Sequence, residues 1–127
     1  MAKECLILDI GLGNLKSIKN KISKEGLVPI ITCDPNDIEK AKIIIIAGVG
    51  HFQEGIKNIQ EKNISNILNE KLHDSKCKIL GICLGMQLFT NFSEEGNIQG
   101  LGWFDAETVK INHKNIKVPN INWMKLN

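Results

Sequence analysis

No apolar run in this chain of 127 residues comes near the roughly 20 residues needed to cross a bilayer. The longest clean run, Ile43 to Val49, is far too short, so no membrane association is expected. The start, Met-Ala-Lys-Glu-Cys, leads straight into an apolar strand without the charged and apolar regions of a signal peptide. The four cysteines, Cys5, Cys33, Cys77 and Cys83, show neither CxxC nor metal-finger spacing. That pattern suits free thiols in a reducing cytoplasmic setting, and no metal or other cofactor is expected. Basic clusters are missing too: net charge is +2 and the lysines are spread along the chain, which argues against nucleic acid as the main partner. There are no internal repeats and no low-complexity linker. Residues 1–127 therefore read as a single domain, long enough for a hydrophobic core.

Strand and helix patterns alternate through the first two thirds of the chain. Cys5 to Ile10 is an apolar, branched run ended by Gly11-Leu-Gly-Asn14. Leu15, Ile18 and Ile22 then recur at helical spacing until Gly26. Leu27 to Thr32 reads as a second strand, and Asp34-Pro-Asn-Asp as a turn into a short helix. Ile43 to Ala47 is the clearest buried strand; it ends at Gly48-Val-Gly50, before a helix carrying Phe52, Ile56 and Ile59. A further helix is expected from about Ile64 to His73, a strand from Lys78 to Ile82, and a helix opening over Leu84 to Phe89. After Ser93 the glycines at 96, 100 and 102 introduce short β-like pieces, Glu107 to Ile111 and Ile116 to Val118. Continuously apolar strands alternating with helices imply an α/β fold with an open, mostly parallel sheet and helices on both faces.

Ligands of such sheets collect at the carboxyl ends of the strands. Gly81-Ile-Cys-Leu-Gly85 lies at one such end and has the shape of a nucleophile elbow, with glycines two residues either side of Cys83. A free cysteine is often just a small buried residue. The elbow spacing, directly after a buried strand, weighs for a nucleophile. At a helix start the first-turn amides and the dipole would favour the thiolate, and the Leu84 amide would face a developing oxyanion. Gly48-Val49-Gly50 reads either as an ordinary glycine turn or as a second oxyanion donor. Gln87, one helical turn after Cys83, either binds an amide or carboxylate or faces solvent.

Gly-Ile-Cys-Leu-Gly-Met-Gln resembles the signature of class I (triad-type) glutamine amidotransferases. Asp9-Ile-Gly-Leu-Gly-Asn14, Gly48-Val-Gly-His-Phe52, and Ser93-Glu-Glu-Gly96 followed by Gly100-Leu-Gly102 narrow the resemblance to the glutaminase subunits of imidazole glycerol phosphate synthase. It extends from about Leu6 to Trp123. The resemblance implies a flavodoxin-like sheet and a Cys83 that attacks the side-chain amide of glutamine, forming a glutamyl thioester and releasing ammonia. It also implies backbone oxyanion donors at Gly48, Val49, Gly50 and Leu84, and substrate contacts from Gln87 and Glu95. Asn14 and Trp123 would face a barrel-shaped cyclase partner that receives the ammonia in histidine biosynthesis, the two chains forming a heterodimer.

Three departures qualify that resemblance. The family's base, a histidine held by glutamate, comes from a His-Pro-Glu-type motif near its C-terminus, and His51, His73 and His113 stand in no such motif. The family continues well past residue 127, so the chain resembles an N-terminal portion, truncated at its C-terminus and weak or inactive as it stands. Ala47 replaces the usual proline of the oxyanion motif, and Asn120 and Asn122 replace a histidine and a glycine in Val118-Pro-Asn-Ile-Asn-Trp123. The alternatives are therefore a catalytically inactive remnant acting as a binding module, or a subunit supplying ammonia to amino-sugar and surface-polysaccharide synthesis.

Overall fold

The computed structural model describes residues 2–125. Its main sheet is built from β1 (Glu4–Leu8), β2 (Val28–Thr32), β3 (Ile43–Gly48) and β4 (Lys78–Cys83), in the order β2-β1-β3-β4. All its pairings are parallel, as the continuously apolar strands require. Helix α1 (Leu15–Lys24) is capped by Asn14, whose Oδ1 accepts from the Lys16 amide at 3.2 Å. Helix α2 (Pro35–Lys40) starts in the same manner: Asp34 accepts from the Asn36 amide at 2.8 Å, and Pro35 fills the first helical position. Helices α3 (Phe52–Glu61), α4 (Ser65–His73) and α5 (Leu84–Gln87) come next along the chain.

The two faces of the sheet are covered unequally. On one face Leu6, Leu8, Ile44 and Ile46 pack with Ile38, Phe52, Ile56, Ile59, Leu68 and Leu84 from α2 to α5. Each fully buried side chain of this size contributes about 1.5–3 kcal/mol, so this layer dominates stability. On the other face Cys5, Ile45 and Ala47 pack under Leu15, Ile18 and Ile22 of α1. Nothing from the described residues covers the same face of β4. Leu80 and Ile82, in register with Ile45 and Ala47, are 54% and 39% exposed.

The remainder differs in part from the sequence expectation. Helix α5 is a single turn, shorter than the Leu84 to Phe89 segment anticipated, because the chain enters a small second sheet at Thr90. That sheet joins β5 (Thr90–Ser93), β6 (Ile98–Gln99) and β7 (Phe104–Thr108) in the order β6-β5-β7, antiparallel on one side and parallel on the other. The strand expected over Glu107 to Ile111 thus begins three residues earlier. Its start is fixed by Phe104, whose ring meets Phe89 edge-on at 5.8 Å while Trp103 stacks on Phe89 at 4.8 Å. Ile116 to Val118 forms no strand and lies exposed in an irregular segment, between a turn at 114–115 and a bend at 118–119. Among the described residues no helix is long and apolar enough to cross a membrane.

Candidate active site

The three marked strand ends converge because their strands are neighbours. β1, β3 and β4 lie side by side, so the Gly11–Asn14 loop, the Gly48–Gly50 loop and the Cys83 turn meet at one edge. A Cβ added to Gly13 would lie 3.1 Å from both Gly48 Cα and the Val49 nitrogen, so the first two loops are in backbone contact. Gly48 pairs directly with Cys83 in the β3–β4 register. Asn58 of α3 fastens the first loop by donating to the Ile10 carbonyl at 2.8 Å.

Cys83 ends β4 with φ 54° and is exposed. For a residue with a side chain this left-handed backbone costs of order 1–3 kcal/mol and persists only where surrounding packing enforces it. Here the flanking glycines allow the packing. A side chain at Gly85 would run into the Ile46 carbonyl oxygen, and one at Gly81 would sit 2.5 Å from Phe89 Cε2 and 2.7 Å from Met86 Cα. Helix α5 therefore rests on the backbone of β3, and the chain turns sharply with the sulfur outward. The contribution expected from a following helix dipole is reduced to one turn of amides, because α5 is only four residues long.

Cys83 opens into a cleft of about 630 Å³, a size suited to a small ligand. Val49, Gly50, Leu84, Gln87 and Glu95 line it together with Cys83. Gln87 is half-buried, and its carbonyl accepts from Thr90 Oγ1 at 2.8 Å. Glu95 accepts from the Phe52 amide at 2.8 Å, bridging 43 residues of sequence. The structure thus gathers all the residues expected around the cysteine except Gly48, which lies behind the lining, paired with Cys83.

The two residues expected to face a partner lie elsewhere. Asn14 is the exposed cap of α1, and Trp123 is fully exposed in the irregular segment after β7. None of the three histidines lines the cleft. His51 caps α3 by accepting from the Gln53 amide at 3.2 Å, His73 ends α4, and His113 accepts from the Asn115 amide at 3.2 Å. The other cysteines are unlike Cys83. Burial pushes the Cys5 and Cys77 thiols up, which keeps them protonated and unreactive. Sequence reasoning passed over Glu94, which also lines the cleft and accepts from the Lys110 amide at 2.7 Å. Its signal was its place beside Glu95 in Ser93-Glu-Glu-Gly96.

The site is a cysteine on a strained strand-to-helix turn, beside a glycine loop and over a small-ligand cleft, at the carboxyl edge of a parallel α/β sheet. The family model for class-I glutamine amidotransferases matches residues 6–123, and the chain belongs to that family. The subunit HisH 2 of imidazole glycerol phosphate synthase from Methanococcus maripaludis is 49% identical over 118 residues, covering 92% of this chain and 58% of that protein. The HisH subunit from Staphylococcus epidermidis is 40% identical over 120 residues, covering 94% of this chain and 60% of its own length. The chain thus spans about three fifths of the length of these relatives. A crystal structure of a glutamine amidotransferase superposes with a TM-score of 0.71 at 17% identity, covering 82% of this chain and 55% of that one. That likeness bears on the fold alone.

Proposed function

We propose that this chain carries the nucleophilic half of a glutaminase that supplies ammonia to imidazole glycerol phosphate synthesis. The Cys83 sulfur attacks the side-chain carboxamide carbon of glutamine, and the negative charge gathers on the amide oxygen. Backbone amides of the Gly48–Gly50 loop and of Leu84 stabilise that oxyanion. Protonation of the nitrogen breaks the C–N bond, releasing ammonia and leaving a γ-glutamyl thioester. Water then adds to the thioester, the C–S bond breaks, and glutamate leaves. Gln87 and Glu95 line the space beside the sulfur and would contact the polar end of the substrate. Ammonia would pass to a cyclase partner, with Asn14 and Trp123 on the docking side. The names of the relatives favour this pathway over amino-sugar synthesis.

The observation that carries the reading is the pairing of Gly48 with Cys83, which sets the glycine loop beside an exposed sulfur on a left-handed backbone. The test is covalent labelling by an electrophilic analogue of glutamine, followed by peptide mapping. One label per chain is expected, on Cys83, and none in Cys83→Ala. A label elsewhere, or one that survives the substitution, refutes the assignment. Steady turnover by the isolated chain is expected to be weak, since no histidine lines the cleft to move the protons.

A further inference from the structure

We infer that Glu94 and Glu95 together hold the two walls of the cleft at a fixed separation around Cys83, a positioning role that Glu95 carries besides its proposed substrate contact. The inference rests on the glutaminase reading for its functional consequence, and on geometry alone for the bracket itself.

The two glutamates are adjacent in sequence but fasten opposite sides. Glu95 Oε2 accepts from the amide of Phe52, the first residue of α3, at 2.8 Å. Phe52 is fully buried and stands two residues after Gly50, so fixing its amide fixes the exit of the proposed oxyanion loop. Glu94 Oε2 accepts from the amide of Lys110 at 2.7 Å, just beyond β7. Lys110 stands in the run from Thr108 to Ile111, which forms another wall of the cleft. Both bonds join a charged acceptor to a backbone donor, the stronger kind of hydrogen bond.

The base of the bracket is itself anchored. Ser93 is fully buried, pairs with Thr108 in the β5–β7 register, and its hydroxyl accepts from the Glu95 amide at 3.1 Å. The Glu94 amide donates to the Thr108 carbonyl at 3.0 Å. Gly96 completes the fit: with φ +86°, a Cβ there would lie 3.0 Å from His51 Cε1 and from Gln53 Cβ. A larger residue would push the turn away from α3 and lengthen the bond between Glu95 and Phe52. The sequence Ser93-Glu-Glu-Gly96 thus reads as an anchor, two opposed clasps and a close-approach glycine.

One carboxylate oxygen of Glu95 is committed to Phe52, so Glu95 holds the loop as well as lining the substrate cleft, while Glu94 acts through the wall it fastens. Gripping and bracketing predict different behaviour for Glu95→Gln. The glutamine side chain keeps an oxygen that accepts from the Phe52 amide, but loses the charge that would hold the ammonium group of a substrate.

The experiment compares wild type, E95A, E95Q, E94A and E94Q in two measurements. The first is amide hydrogen exchange by NMR. E95A should speed exchange at Phe52 and E94A at Lys110 by tenfold or more, roughly the worth of one charge-assisted bond. Each Gln variant should restore most of the protection. The second measurement is the rate at which an electrophilic glutamine analogue labels Cys83, set against the rate with iodoacetamide. E94A should lose about tenfold against the analogue while the iodoacetamide rate moves by no more than about twofold, and E94Q should recover it, whereas E95Q should label slowly through its lost charge yet keep the protection at Phe52. Unchanged exchange at Phe52 in E95A overturns the bracket. So does E94Q behaving like E94A in labelling, which assigns Glu94 a charge contact with the substrate instead. Failure of wild type to react with the analogue counts against the glutaminase reading, while the exchange data still decide the bracket.

Discussion

Replacing Gly85 by alanine is expected to lower stability by about 3 kcal/mol, the upper part of the range for overpacking a tight contact. The added methyl would point at the backbone of β3. Its carbon would lie 2.5 Å from the Ile46 carbonyl carbon and 3.0 Å from the Ala47 nitrogen, and closer still to the Ile46 oxygen. Ordinary contact is about 3.5–4.0 Å, so α5 has to withdraw by roughly an ångström. A backbone carbonyl in a central strand cannot rotate aside as a side chain would. A gap of that size forfeits a quarter to a half of the dispersion energy of the contacts it opens. Leu84 and Leu88, 1% and 0% exposed, ride on the displaced segment. For a chain of this length the melting temperature should fall by roughly 6–15 °C. Cys83 should also react more slowly with the glutamine analogue, because its turn is held by the same contact. Gly26→Ala is the control. Its Cβ meets nothing within 4 Å, and φ +79° is its only difficulty. That costs about 1–2 kcal/mol and should leave Cys83 reactivity unchanged. Calorimetry and timed labelling read both effects. A Gly85→Ala protein that melts within about 2 °C of wild type would refute the packing of α5 on β3.

Iodoacetamide at neutral pH should modify Cys83 and the half-buried Cys33 well before Cys5 and Cys77, whose thiols burial holds protonated; early modification of Cys5 on a folded chain, read by mass spectrometry, would contradict the core assignment. Asp74 is held below the usual carboxylate range by the Lys76 amide and then by Lys71, so it contributes stability above that range and loses it as pH falls through the lowered value. Asp74→Asn should therefore melt lower than wild type at neutral pH, with the gap closing in acid, and a gap that widened in acid would reverse the sign. Leu80 and Ile82 lie exposed on an open sheet edge, so wild type should associate as concentration rises, and Leu80→Lys with Ile82→Lys should suppress this in sedimentation velocity. Equal behaviour of the two proteins would show that this face does not drive association.

The main sheet was legible because its signals are local and agree with one another. Ile43 to Ala47 has no polar residue to suggest an exposed face, and Asn14, Asp34 and Gly26 bound helices in their ordinary ways. The elbow was legible for the same reason, since its glycines stand at fixed distances from Cys83 on the strand itself. Beyond Leu88 the structure depends on contacts distant in sequence. β7 starts at Phe104 because the rings of Phe89 and Trp103 meet there, and no period in the sequence announces that. Ile116 to Val118 looked like a strand by composition, but no neighbouring edge pairs with it, and β propensity without a partner forms nothing. Glu94 went unnoticed because its importance lies in a bond to Lys110, sixteen residues away.

The arrangement also divides the proposed reaction into parts that these residues supply and one that they do not. Forming the tetrahedral adduct needs a nucleophile, amide donors and a fixed cleft, and all three stem from strand ends and turns between Leu8 and Lys110. Expelling ammonia needs a proton delivered to nitrogen, since an amide anion is a far worse leaving group than ammonia. His51 does not line the cleft; its Nδ1 caps α3 and its ring lies against the Gly96 turn. None of the residues lining the cleft is a histidine. The open side of β4, where Leu80 and Ile82 lie exposed beside the elbow, is where a further element could pack without displacing anything already in place.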